Sequence, residues 1–151
     1  MKEFTRRDLL KGAVAASAAL AAGSSTSAFA GKQDHSHMNH ANPNVGIIDA
    51  AQSCMKNGQL CLDHCIDLFK MGDNSVANCA DKVTEMLAMC TALSQMASYQ
   101  SKHLAKFAKV CAAVCKDCKK ACDEHADKHQ ACKDCSDSCK ECIKACEKIA
   151  A

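Results

Sequence analysis

Beyond residue 45 the apolar and sulfur-bearing positions recur every three or four residues, the spacing that keeps side chains on one face of an α-helix. One stripe holds Cys54, Gly58, Cys61, Cys65 and Leu68; a second holds Val76, Cys79, Val83, Met86, Cys90 and Leu93. A third runs through Leu104, Phe107, Cys111, Cys115, Cys118 and Cys122, and a fourth through Cys132, Cys135, Cys139, Cys142, Cys146 and Ile149. Between these positions lie charged residues such as Lys116, Lys119, Lys120, Lys133, Asp134, Asp137, Lys140, Glu141 and Lys144, which read as a solvated outer face. The spacing predicts helices over about 45–70, 75–96, 100–125 and 128–150. Gly72-Asp73-Asn74 is expected to end the first, Asn74 or Ser75 to cap the second, and Asp127 to cap the fourth. The polar stretch from Ser94 to Ser101 is expected to hold a turn. Four such helices with short links imply an all-α fold: an antiparallel four-helix bundle with a cysteine-lined core.

Composition sharpens this picture. The 151 residues fit one domain, with one Pro, six Gly and 3% aromatic residues, so a large aromatic core is excluded. No Gly follows Gly72, which removes the usual punctuation of strands and tight turns from the second half. Net charge is +2, and outside residues 1–30 fifteen basic and fifteen acidic residues balance. Both arginines, Arg6 and Arg7, fall inside residues 1–30. A neutral, arginine-free remainder lacks the basic face that nucleic-acid binding needs.

The first 44 residues follow a different pattern. Thr5-Arg6-Arg7-Asp8-Leu9-Leu10-Lys11 resembles the twin-arginine export motif. An Ala-rich run from Gly12 to Ala22 follows, then Ala28-Phe29-Ala30, a small-residue cleavage pattern. The run is short and Ala-dominated where a membrane span needs about 20 apolar residues. Residues 1–30 are therefore expected to be a removed signal peptide, with the mature chain starting at Gly31 in the periplasm or another extracytoplasmic space. Residues 31–44 read as a flexible polar arm, and residues 45–151 as the bundle. The arm holds His35, His37, Met38 and His40, a candidate metal-capturing set, or else a polar tail that happens to contain His. Asn42-Pro43 is expected to open the first helix, with Pro at its first position.

Cysteine is the anomaly in this chain. There are 14: Cys54, Cys61, Cys65, Cys79, Cys90, Cys111, Cys115, Cys118, Cys122, Cys132, Cys135, Cys139, Cys142 and Cys146. Cys115-Lys116-Asp117-Cys118 followed by Cys122 repeats as Cys132-Lys133-Asp134-Cys135 followed by Cys139, and again as Cys139-Lys140-Glu141-Cys142 followed by Cys146. A core that used Cys only as a small hydrophobe would be filled better by Leu or Val, without the oxidation hazard. A disulfide framework suits the even count, yet most of these cysteines sit within continuous helical patterns. Neighbours three or four apart on a helix rarely give a relaxed S–S torsion, although bridges between helices stay open.

Metal binding is the remaining reading. Thiolates are soft ligands that select Cu(I), zinc or iron–sulfur clusters. Zinc would use four ligands per site, so these cysteines would hold about three ions. Cluster motifs commonly place Pro after the last Cys, and the sole Pro here is Pro43. Cu(I) accepts fewer ligands, and thiolates bridge neighbouring ions, so a sulfur-filled core could hold about one Cu(I) per Cys. All fourteen cysteines are thus candidate Cu(I) ligands.

On Cys61-Leu62-Asp63-His64-Cys65, Cys111-Ala112-Ala113-Val114-Cys115 and the repeated C-x-x-C-x-x-x-C, the chain resembles the bacterial copper storage proteins, over most of residues 45–150. The twin-arginine leader matches the exported branch of that family. The resemblance implies a four-helix bundle, often a tetramer, that fills with Cu(I) through one open end where Met and His residues help ions in. Candidates for those residues are Met55, Met86, Met89, Met96 and His103. It also implies storage for supply or detoxification, with a copper donor or acceptor protein as partner. His64, His125 and His129 read as surface or helix-end residues, with His125 and His129, near a turn, also candidates for weak metal binding. The alternatives are a thiol–disulfide oxidoreductase built on one C-x-x-C pair and a zinc-binding structural protein. No enzyme is expected: no strand pattern, acid–base dyad, Ser–His–Asp trio or phosphate-cradling Gly loop is evident.

Overall fold

The computed structural model of the protein describes residues 42–151. The expected signal peptide at 1–30 and the His/Met set at 35–40 lie outside the described residues. Four helices follow one another: α1 (Val45–Lys70), α2 (Ala77–Ser98), α3 (Leu104–Asp123) and α4 (Gln130–Ala150). No strand is found among the described residues, nor is any helix long and apolar enough to cross a membrane. The expected span is met for α1, and the other boundaries fall within four residues of expectation.

The links explain the topology. Each has six residues or fewer between helices of 20 or more. A six-residue link reaches about 20 Å at full extension, whereas a 20-residue helix is about 30 Å long. No link can return along a helix, so successive helices run antiparallel. Each helix packs on two neighbours: α1 and α3 both lie against α2 and α4.

Two of the turns share one construction. After α1, Asp73 N–H donates to Leu68 C=O and Gly72 N–H to Phe69 C=O, both at 2.9 Å, with Gly72 at φ 83°. This is the paired-bond C-terminal cap for which glycine is the usual residue. After α2 the same two bonds form, Ser101 N–H to Met96 C=O and Gln100 N–H to Ala97 C=O, but here Gln100 takes the left-handed conformation at φ 51°.

The helix starts differ from expectation. The residues before α1, α2, α3 and α4 make no side-chain cap hydrogen bond, so neither Asn74, Ser75 nor Asp127 serves as a cap. Pro43 precedes α1 and does not open it. The Asn42 and Asn44 side-chain amides instead donate to Ala97 C=O at 3.3 and 3.2 Å, and Asn42 also donates to Ser98 C=O. They satisfy the last carbonyls of α2, which the helix itself leaves without partners.

The two ends of the bundle differ in chemistry. Where α1 and α3 begin, the core is closed by Ile47, Ala51, Leu93, Ala97, Leu104 and Ala108, all buried. Where α2 and α4 begin, Leu68 and Val76 are buried and His64, His125 and His129 are half-buried around them. Between these ends the core is mostly sulfur.

Candidate metal centre

All fourteen cysteines are free thiols at 0% exposure. The helical stripes place them there: seven or eight buried positions per helix, spaced by three and four, face the bundle axis. Seven thiol–thiol contacts lie between 3.5 and 4.0 Å: Cys54–Cys139, Cys61–Cys79, Cys61–Cys132, Cys79–Cys122, Cys90–Cys115, Cys90–Cys142 and Cys118–Cys135. Every one joins two different helices. These separations far exceed a disulfide bond of about 2.05 Å, and each is a span that one metal ion could bridge.

Five groups bring their sulfur atoms within 4.8 Å of one another. Towards the histidine end they are Cys61–Cys79–Cys132, Cys61–Cys122–Cys135 and Cys118–Cys135–Cys139. Towards the apolar end they are Cys54–Cys90–Cys115–Cys142 and Cys111–Cys142–Cys146. Cys61 and Cys135 each belong to two groups of the first string, and Cys142 to both groups of the second. The strings meet where Cys54 and Cys139 lie 3.5 Å apart. Cys65 belongs to none of the five groups, and its pKa registers Cys79 and Cys61 beside it.

This arrangement gives the C-x-x-C repeats a meaning their spacing alone does not. Cys132 and Cys135 fall in different groups, as do Cys115 and Cys118, and Cys139 and Cys142. Three residues of helix advance about 4.5 Å along the axis, so each C-x-x-C feeds two successive layers and does not clamp one ion. Only Cys54–Cys90–Cys115–Cys142 has the four ligands of a closed zinc site. The other groups are triads that share members, an arrangement suited to ions with low coordination numbers and bridging thiolates.

The thiols also act on one another's ionisation. Cys111, Cys115, Cys142 and Cys54 surround Cys90 and, with burial, push its thiol up. Cys122 is raised by Cys118, Cys135, Cys61 and Cys79, and Cys139 by Cys115, Cys118, Cys135 and Cys54. Cys135 is pulled down because Cys118, Cys122, Cys139 and Cys61 stabilise its thiolate, and Cys142 likewise by Cys111, Cys115, Cys146 and Cys54. A few thiolates thus form readily, and neighbouring thiols then hold their protons. Burial first, then the nearby Cys79, pushes Cys65 up to about 11. A soft cation that displaces protons relieves this restraint throughout the core.

The candidate mouth residues scatter. His103 is exposed at the start of α3, at the apolar end. Met55 and Met89 are half-buried midway along their helices, with the Met55 thioether accepting a hydrogen bond from Thr91 at 3.1 Å, and Met96 is half-buried near the end of α2. Met86 is fully buried, and the Cys54 thiol donates to its sulfur at 3.3 Å. The sequence offers His125 and His129 as weak metal ligands and gives His64 no such role, yet the rings of His64 and His129 are joined by a 2.9 Å hydrogen bond between Nε2 of His64 and Nδ1 of His129. The adjacency of His64 to Cys65 was the available signal.

Comparison with known proteins bears on this sulfur core. A family model described as copper storage protein matches residues 39–151. None of the curated proteins compared matches the chain by sequence. Apo copper storage protein 3 from Bacillus subtilis superimposes with a TM-score of 0.64 at 23% identity, covering 72% of this chain and 99% of that one. A cytosolic copper storage protein from Streptomyces lividans carrying five coppers gives 0.64 at 24% identity, covering 71% and 91%. The Streptomyces lividans copper storage protein loaded with 10 copper equivalents also gives 0.64 at 24%, covering 71% and 83%.

One expectation is corrected by this comparison. The chain was expected to be exported to the periplasm or another extracytoplasmic space, but a neighbour with this bundle is a cytosolic copper storage protein. The motifs that carried the expectation lie in residues 1–30, outside the described residues. The physical reason is that a core of free thiols is at home in a reducing compartment, where cysteines stay unpaired without export.

Proposed function

The chain belongs to the copper storage protein family, and on that premise we propose that its Cu(I) store is the set of fourteen core cysteines, filled through the histidine end. The carrying observation is that thirteen of them form five groups in two strings, linked within the strings by Cys61, Cys135 and Cys142 and meeting at the Cys54–Cys139 contact, so an ion in one group shares a thiolate with the next group of its string. Shared thiolates let ions outnumber what closed four-ligand sites would hold. Cys65 stands outside these groups next to His64, and acts as the first thiol an incoming ion meets.

The histidine end is favoured because the opposite end is closed by Ile47, Ala51, Leu93, Ala97, Leu104 and Ala108, none of which offers a ligand. At the other end the His64–His129 pair, with His125 6.4 Å from His129 between ring centroids, offers imidazole nitrogens on the residue preceding Cys65 and three residues before Cys132. Transfer from a copper donor or to an acceptor protein takes place at that end. The role is binding and not catalysis. Reactive cysteines of thiol–disulfide enzymes are partly exposed, whereas every cysteine here is at 0% exposure. The exposed Leu60, Ile66 and Val110 supply apolar surface for the homo-oligomer that the family resemblance implies, with a tetramer as the proposed state.

X-ray absorption at the copper edge, on the full chain loaded anaerobically with Cu(I), tests this reading. Sulfur alone in the first shell, with a copper–copper distance in the second, is the expected result. A first shell dominated by nitrogen or oxygen would overturn it.

A further inference from the structure

The two strings of thiols meet at a layer where sulfur is scarce on one side. There α3 supplies Cys118 and α4 supplies Cys139, but between Cys54 and Cys61 α1 has Gly58, and between Cys79 and Cys90 α2 has the buried Val83 and Met86. Gly58 sits four residues after Cys54 and three before Cys61, the position at which the α1 stripe would otherwise carry another side chain. The space is taken by Met86 from α2: a Cβ on residue 58 would lie 2.5 Å from the Met86 terminal methyl. Met86 is at 0% exposure, and its sulfur lies 3.3 Å from Cys54 Sγ. That contact is shorter than all seven thiol–thiol contacts of the core, and Cys54 is also the residue that touches Cys139 across the junction.

We propose that Met86 is a copper ligand, its thioether serving as the third sulfur on a Cu(I) ion held by Cys54 and Cys139 at the junction of the two thiol strings. Methionine often serves as flexible filler in a core, but filling alone requires only volume, which leucine supplies. Here the sulfur is directed at a thiol that joins both strings. A thioether is a soft ligand that prefers Cu(I) and binds it without losing a proton, whereas each thiol must lose one. A neutral ligand at mid-core therefore lets an ion cross between the strings without adding another buried negative charge, which is costly to desolvate.

This inference rests on the storage reading, and the test separates the two. The full chain is prepared with selenomethionine, loaded with Cu(I), and studied by X-ray absorption at the selenium edge. Copper is expected among the nearest scatterers of selenium. It should be lost in Met86→Leu, a volume-conserving change, together with about one ion of capacity. It should persist when Met38, Met55, Met71, Met89 and Met96 are all leucine, a variant that keeps the assignment decidable if Met86→Leu does not fold. Selenium with carbon neighbours only in fully loaded wild-type protein, or an unchanged spectrum in folded Met86→Leu, would overturn the role of Met86 and leave storage intact. A wild-type chain that takes up only one to three ions would instead remove the storage reading itself.

Discussion

Gly58 of α1 and Met86 of α2 share one volume: a Cβ at residue 58 would meet the Met86 methyl at 2.5 Å and Leu87 Cδ2 at 3.0 Å. Glycine inside a helix costs about 1 kcal/mol relative to alanine, so its presence in α1 marks a close approach of the two helices. Gly58→Ala recovers that propensity but pushes against a close-packed core, where an added methylene costs about 1–3 kcal/mol. The flexible end of Met86 can yield, so the net effect is a loss between zero and about 2 kcal/mol. Gly58→Leu has no such outlet and loses about 3 kcal/mol. Urea unfolding of the reduced apo protein measures both; a more stable Gly58→Leu would contradict this packing.

Sharing of thiolates makes the cysteines unequal. Cys142 belongs to two groups and Cys65 to none of the five. Cys65→Ala should lose at most about one Cu(I) and Cys142→Ala about two. Native mass spectrometry of each variant after competition with a Cu(I) chelator counts the ions. Equal losses would mean that each cysteine acts alone.

The α2–α3 turn carries strain that a substitution should release. Gln100 holds the left-handed conformation at φ 51° in a cap where α1 uses Gly72. A left-handed non-glycine residue costs about 1–2 kcal/mol, while glycine loses about 0.4–1 kcal/mol more through the unfolded chain. Gln100→Gly should therefore raise stability by up to about 1.6 kcal/mol. A fall in the thermal midpoint would contradict that reading of the turn.

The same turn shows how far the sequence could be read. The end of α1 was legible because Gly72 announces its cap. The end of α2 was not, because Gln100 performs the same task without glycine, and the boundary fell among polar residues that favour no one position. Helix starts were misread for a related reason: Asn42-Pro43 looks like the opening of α1, yet the amides of Asn42 and Asn44 close the carbonyl end of α2 more than fifty residues away. The sulfur stripes were fully legible, since spacings of three and four fix one helix face. Which cysteines meet was not, because every close thiol contact crosses between helices and depends on how α1 to α4 are aligned along the axis. The place of Met86 was hidden for the same reason: its partner Cys54 lies on another helix.

The thiols set a pH limit on the apo protein. Cys65 ionises at about 11 in the fold against an ordinary 9.0, because burial and then Cys79 disfavour its thiolate. Cys132 is pushed up to about 12, where Cys79 and burial outweigh the opposing effect of Cys61. Between those values the unfolded chain has released protons that the folded chain still holds, so stability declines as pH rises. The contribution is complete below about pH 9 and lost through about pH 11. Thermal unfolding under anaerobic, reducing conditions should give a midpoint insensitive to these thiols up to about pH 9 and falling above it. A midpoint that climbs with pH above 9 would contradict the raised ionisation of Cys65 and Cys132.

The most direct measurement is an anaerobic titration of the reduced full chain with Cu(I) in the presence of a coloured Cu(I) chelator. The linked thiol groups predict that roughly ten or more ions bind per chain before the chelator takes any. Binding that stops at about one to three ions would contradict a shared-thiolate store and point to isolated closed sites such as a single zinc-like centre at Cys54, Cys90, Cys115 and Cys142.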